Sequence, residues 1–91
     1  MSVAYTIRRK LTQAFEPEML EVIDESHLHA GHVGARPEGE THFKVIIVSN
    51  SFRSTTRIEG QRAVFKILAE ELAGPVHALS VRARAPEGNG D

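Results

Sequence analysis

The stretch RIEGQRAVFKILAEELAGPVHALSVRAR, residues 57–84, decides the fold. In its first part Val64, Ile67, Leu68 and Leu72 recur at spacings of three and four, with Phe65 at the edge of the stripe, and predict one helix over Arg57 to Ala73. Gly74 and Pro75 supply a stop signal. The period then changes to two. His77, Leu79, Val81 and Ala83 alternate with Ala78, Ser80, Arg82 and Arg84, which predicts a strand over Val76 to Arg84 with His77 on the side facing the helices. A one-sided helix followed by a one-sided strand needs further apolar faces to close a core.

Those faces lie upstream. From a Ser2 N-cap, Val3, Ile7, Leu11, Ala14 and Phe15 form a second helical stripe, which Pro17 ends near Phe15. Met19 to Asp24 alternates and reads as a strand, and His42 to Ser49 as another, with Phe43, Val45 and Ile47 in one phase and Lys44, Ile46 and Val48 in the other. Between these strands, Glu25 to Thr41 carries Gly31, Gly34, Pro37 and Gly39 without periodicity, and a connection of that length is usually functional or disordered. Asn50 to Thr56 is a polar connector with one short helical turn and a single large apolar anchor, Phe52. The expected architecture is α+β: a two-layer sandwich in the order αββααβ, helices on one face of a three-stranded sheet, a layout similar to the second type of K-homology fold.

Ninety-one residues make one domain, because two independent cores of half that size would each bury too little surface to offset chain entropy. Its expected extent is residues 1–85, followed by a flexible tail at 86–91. A formal net charge of -1 leaves no whole-molecule positive field for nucleic acid or anionic lipid, so any such binding is local. The absence of cysteine excludes disulfides, thiol nucleophiles and any metal site built only from the chain's own thiolates. No apolar run is long enough to span a bilayer and the first ten residues lack the apolar core of a secretory signal, so the expectation is a cytoplasmic protein without membrane attachment.

Chemistry concentrates in histidine. His27, His29 and His32 cluster in the long connection, His42 starts the strand that leaves it, and His77 stands where the last strand begins. Imidazole is a common metal ligand, and the H-x-H-x-x-H spacing fits either a divalent-ion site or a solvated polar loop. His77 reads as a core residue bonded to a backbone carbonyl, with a ligand at the strand edge as the alternative. Asp24 and Glu25 are adjacent on a strand, point to opposite faces and cannot act as a carboxylate pair; Ser49, Ser51 and His42 lack any sign of an oxyanion hole, so no enzymatic activity is assigned. Gly31-His32-Val33-Gly34 spells the G-x-x-G of a K-homology backbone clamp but lies between strands, and the place between the helices holds Ile58-Glu59-Gly60-Gln61 instead. Arg53, Arg57, Arg62 and Lys66 are candidates for a local basic strip that contacts nucleic acid, or simply for a solvated helix face.

Several blocks together resemble the BolA family: Leu20-Glu21-Val22, Asp24-Glu25-Ser26, His29-Ala30-Gly31-His32, residues 39–45 as Gly-Glu-Thr-His-Phe-Lys-Val, Ile47-Val48-Ser49, Leu68-x-Glu70-Glu71-Leu72 and Val76-His77-Ala78-Leu79-Ser80. The resemblance covers about Ile7 to Pro86. It implies a K-homology-like fold and a non-enzymatic adaptor that pairs with a monothiol glutaredoxin and co-ligates a [2Fe–2S] cluster, to which the partner brings a cysteine and a glutathione thiolate. By the same resemblance His77 is one ligand and a loop histidine, His29 or His32, is the other. Two imidazoles in place of two thiolates on one iron make such a cluster less negative and raise its potential. The family's Arg-rich triplet at the start of the long helix is reduced here to Gly60-Gln61-Arg62, which weakens the alternative implied by some members, a DNA-binding transcriptional regulator. Homodimerisation is left open.

Overall fold

The computed structural model describes residues 2–26 and 39–86. Helix α1 spans Val3–Phe15; the Ser2 side chain accepts from the Tyr5 amide at its start, and Glu16, at φ 44°, ends it before Pro17. Strand β1 spans Met19–Asp24 and strand β2 spans His42–Val48. A 3-10 turn over Asn50–Phe52 follows, then α2 over Arg57–Ile67, α3 over Ala69–Ala73 and β3 over Ala78–Arg84.

The sheet has the order β1-β2-β3, with β2 in the centre. β1 pairs with it antiparallel, Leu20 opposite Ile47 and Val22 opposite Val45, while β3 pairs parallel, Phe43 opposite Leu79 and Val45 opposite Val81. One phase of each strand therefore meets the helices. Ile7 and Leu11 of α1, Val64 of α2 and Leu68 close over Val22, Phe43, Val45, Ile47 and Val81 in a single core. Each fully buried aliphatic side chain of this kind contributes about 1.5–3 kcal/mol relative to exposure. The architecture is α+β with the helices on one face, as expected.

Local chemistry sets the helix positions. A capping box starts α2: the Glu59 amide donates to Thr56 Oγ1 at 3.1 Å and the Thr56 amide to Glu59 Oε1 at 2.9 Å. Gly60 is buried, and a Cβ there would sit 3.3 Å from the Ala83 Cβ and 3.4 Å from the Phe52 ring, so the glycine lets α2 approach β3 closely. Phe52, 5 % exposed, anchors the 3-10 turn, and its ring centroid lies 5.0 Å from that of Phe15. Among the described residues, no helix is long and apolar enough to cross a membrane.

Four expectations need correction. The long helix is two, because Leu68 (φ -101°, ψ 22°) leaves helical geometry between α2 and α3. Ile67, expected on the buried stripe, is 36 % exposed, and Ala14 is exposed as well. The last strand begins at Ala78 instead of Val76. His77 does not face the helices: it is exposed while Val76 is buried, for a reason given below. Most of the expected tail lies outside the described residues.

Candidate metal centre

The topology brings the interesting residues to one end of the sheet. β1 finishes there at Asp24, β2 starts there at His42, and β3, being parallel to β2, starts there too, directly after His77. The Thr41 carbonyl accepts from two successive amides, His77 at 2.7 Å and Ala78 at 3.1 Å. Two donors on one acceptor is the signature of a bulge, which inserts a residue and shifts the alternation by one. Val76 and Leu79 consequently both point inward, and His77 is turned out to solvent. Its ring stands 5.2 Å, centroid to centroid, from that of His42, tilted by 50°.

The two ends of the long connection are fastened together beside this pair. Asp24 Oδ1 accepts from the Ser26 amide at 2.9 Å and Asp24 Oδ2 from the Glu40 amide at 3.0 Å. Ser26, 5 % exposed, places its Oγ where the amides of Thr41 and His42 both donate to it, at 2.9 and 3.1 Å. The Thr41 hydroxyl lies 3.2 Å from the Ser26 hydroxyl and 2.8 Å from His42 Nδ1. Gly39, at φ +82°, is required here, since a Cβ would also press on Asp24 Oδ2 at 3.2 Å. Glu40, at φ 62°, turns its carboxylate to the start of α1, where it accepts from the amides of Val3 at 3.2 Å and Ala4 at 3.3 Å. These are orphan donors of a helix N-terminus, where a negative charge is favoured.

The candidate ligands divide accordingly. His77 is exposed at the sheet end beside the buried His42, which is 6 % exposed. His29 and His32, with His27, lie outside the described residues. Among the described residues, no group of three His, Cys, Asp or Glu side chains could hold a metal ion by itself. Imidazole nitrogen suits iron, zinc or copper, and His77 can offer one such donor at the surface. Among the described residues, that donor set fits a metal group completed from elsewhere. Ser26 and Thr41 were not legible as site residues from spacing, although both fall in the polar blocks that flank the long connection.

The basic candidates are only partly assembled. Arg57 joins Gln61, Arg82 and Arg84 along a groove of about 330 Å³ between the start of α2 and β3. Gln61 Nε2 donates to the Val81 carbonyl there at 3.2 Å. Arg53 instead folds onto its own turn, with Nη2 2.8 Å from Asn50 Oδ1. Arg62 and Lys66 are exposed on α2 but do not line this groove. Arg82 and Arg84 are the additions: the outward phase of β3 was readable, its position beside Arg57 was not.

The family model described as BolA-like protein matches residues 11–88. The chain is 48% identical over 84 residues to BolA-like protein 1 of Pongo abelii, covering 92% of this chain and 58% of that one, so it spans little more than half of that relative. It is 34% identical over 87 residues to the DNA-binding transcriptional regulator BolA of Haemophilus influenzae, covering 96% and 81%. Among solved structures it is similar to the BolA domain of SufE1 from Arabidopsis thaliana, with TM-score 0.84 and 40% identity over 94% of each chain. With a family match that takes in the whole sheet, the bulge at His77 and the fastened loop ends, the chain belongs to the BolA-like family.

Proposed function

We propose that the protein is a non-enzymatic adaptor that binds a monothiol glutaredoxin and co-ligates a [2Fe–2S] cluster with it, in iron–sulfur maturation, trafficking or iron regulation. The observation that carries this reading is the exposure of His77 at the sheet end where both ends of the histidine-bearing connection are fastened. An imidazole turned to solvent by a bulge, in a chain without cysteine, has a donor to lend and no thiolate to complete a cluster alone. His77 and a loop histidine, His29 or His32, would be this chain's ligands, the partner's cysteine and glutathione the others. A cluster so divided between chains is transferable and able to report iron status.

The test is anaerobic reconstitution of the chain with a monothiol glutaredoxin, glutathione, iron and sulfide, followed by visible absorption and circular dichroism against glutaredoxin alone. A distinct spectrum for the mixture, lost with His77→Ala while the isolated variant stays folded, is the expected result. A mixture spectrum that His77→Ala leaves unchanged removes the ligand assignment.

A second reading, a nucleic-acid-binding regulator on a K-homology-like fold, is supported by the groove holding Arg57, Arg82 and Arg84 and by the name of the Haemophilus influenzae relative. It predicts salt-dependent retardation of DNA in a gel, weakened by Arg57→Ala and Arg82→Ala. No retardation at low salt removes it.

A further inference from the structure

We propose that Thr41 is a positioning residue for His77, setting where its imidazole stands relative to the base of the histidine-bearing connection; the proposal rests on the shared-cluster reading above. Thr41 reaches His77 by two separate routes. Along the backbone its carbonyl accepts from the His77 amide at 2.7 Å and the Ala78 amide at 3.1 Å, which creates the bulge that turns His77 outward. Through side chains its hydroxyl stands 2.8 Å from His42 Nδ1, and the His42 ring packs 5.2 Å from the His77 ring.

The same residue is tied to the other ligand-bearing segment. The Thr41 amide donates to Ser26 Oγ at 2.9 Å and its hydroxyl lies 3.2 Å from that oxygen, and Ser26 is the last described residue before the connection that carries His29 and His32. Thr41 is 1 % exposed and His42 6 %, so the bond between them is shielded from water although His77 itself is exposed. A hydroxyl is the right group for this place: it can donate to one neighbour and accept from the other, so the row Ser26, Thr41, His42 can be satisfied throughout. Groups hydrogen-bonded to a metal-binding imidazole orient it, and their loss typically costs roughly 10- to 100-fold in metal affinity. Thr41 acts one step further out, through the backbone and the His42 ring, which places its effect at the low end of that range.

The test replaces the hydroxyl by a methyl group of the same shape. Thr41→Val keeps the carbonyl, the amide bond to Ser26 Oγ and the β-branched outline, removes the hydroxyl's contacts with His42 and Ser26, and is read in two ways. In the isolated chain, the nuclear Overhauser contact between the His42 and His77 rings is expected to weaken. In the reconstituted complex, cluster retention is expected to fall roughly 10-fold with a changed visible circular dichroism spectrum, at unchanged affinity for cluster-free glutaredoxin, and Thr41→Ser is expected to restore both. His42→Phe is the second variant should Thr41→Val not fold: it keeps a ring beside His77, removes Nδ1, and is expected to give the same loss of retention. Wild-type retention and spectrum in whichever of the two variants folds, alongside a loss with His77→Ala, overturn the positioning role alone. A distinct mixture spectrum that His77→Ala leaves unchanged overturns the positioning role together with the assignment of His77 as a ligand.

Discussion

The two ends of strand β2 are each closed by a buried serine, and they use it differently. At the end where β2 leaves, Ser49 is 1 % exposed; its hydroxyl donates to the Phe15 carbonyl at 2.6 Å and accepts from the Ser51 amide at 3.0 Å. That bond locks the end of α1 to the start of the 3-10 turn, beside the tilted, packed rings of Phe15 and Phe52. At the other end, Ser26 accepts from two amides and stands in a row that leads to a pair of imidazoles. The first serine joins two pieces of scaffold, whereas the second joins scaffold to a donor that faces solvent. Buried hydroxyl bonding is therefore no guide to function by itself; what matters is whether the row it belongs to ends in the core or at the surface.

That contrast can be broken or sharpened by substitution. Ile47, 0 % exposed and one residue from the end of β2, belongs to the core that supports both ends, and Ile47→Ala is expected to destabilise the chain by about 3 kcal/mol in urea unfolding. Next, Ser26→Ala leaves the Thr41 and His42 amides without their acceptor and is expected to lose about 2 kcal/mol, with weakened cluster retention in the reconstituted complex. Ser49→Ala is expected to lose about 1 kcal/mol by the same measurement and to leave the complex's visible spectrum untouched. Equal spectral effects from the two serines would erase the distinction drawn here. Glu40→Gln, which keeps the shape but removes the charge at the start of α1, is expected to cost about 0.5 kcal/mol, an effect that shrinks in high salt.

A smaller effect lies away from both ends. Lys10 Nζ reaches Glu70 at 2.8 Å and Glu71 at 2.9 Å, joining α1 to α3. These hydrogen bonds, first of all the one to Glu70, raise the Lys10 pKa above 10.5, and the bond from Lys10 lowers that of Glu70 below 4.5. The Glu70 contribution is thus present above its unfolded-state pKa and fades as the pH falls through the lowered folded value. The Lys10 contribution is present below its unfolded-state pKa and fades as the pH rises through the raised one. The link is complete across neutral pH, and Glu70→Gln is expected to flatten only the acid limb of a stability profile, slightly, because Glu70 is 86% exposed.

Periodicity made the elements legible because α1 buries one regular face, as Ile7 and Leu11 do, and β2 sends Phe43, Val45 and Ile47 of one phase into the core. It failed where geometry depends on a distant partner. Leu68 sits in an unbroken apolar run, so nothing local announces the break in the helix. The outward turn of His77 depends on a carbonyl contributed by Thr41, 36 positions away in the chain, and a pattern of period two cannot register an inserted residue. The link between Ser26 and Thr41 spans the long connection and is likewise invisible to local spacing. The meeting of Arg57 with Arg82 and Arg84 needs the parallel placement of β3, which only the assembled sheet supplies.

The fastening of Asp24 and Ser26 to Glu40 and Thr41 has a consequence for how such a chain can change. The strand register and the seat of α1 are secured by bonds made on either side of residues 27–38, so these fastenings are decoupled from the length of the stretch between them. Lengthening it adds only a slowly growing closure entropy, about 0.6 kcal/mol for each doubling. On the proposed shared-cluster reading, a change of donor in that stretch would leave the sheet that presents His77 as it is.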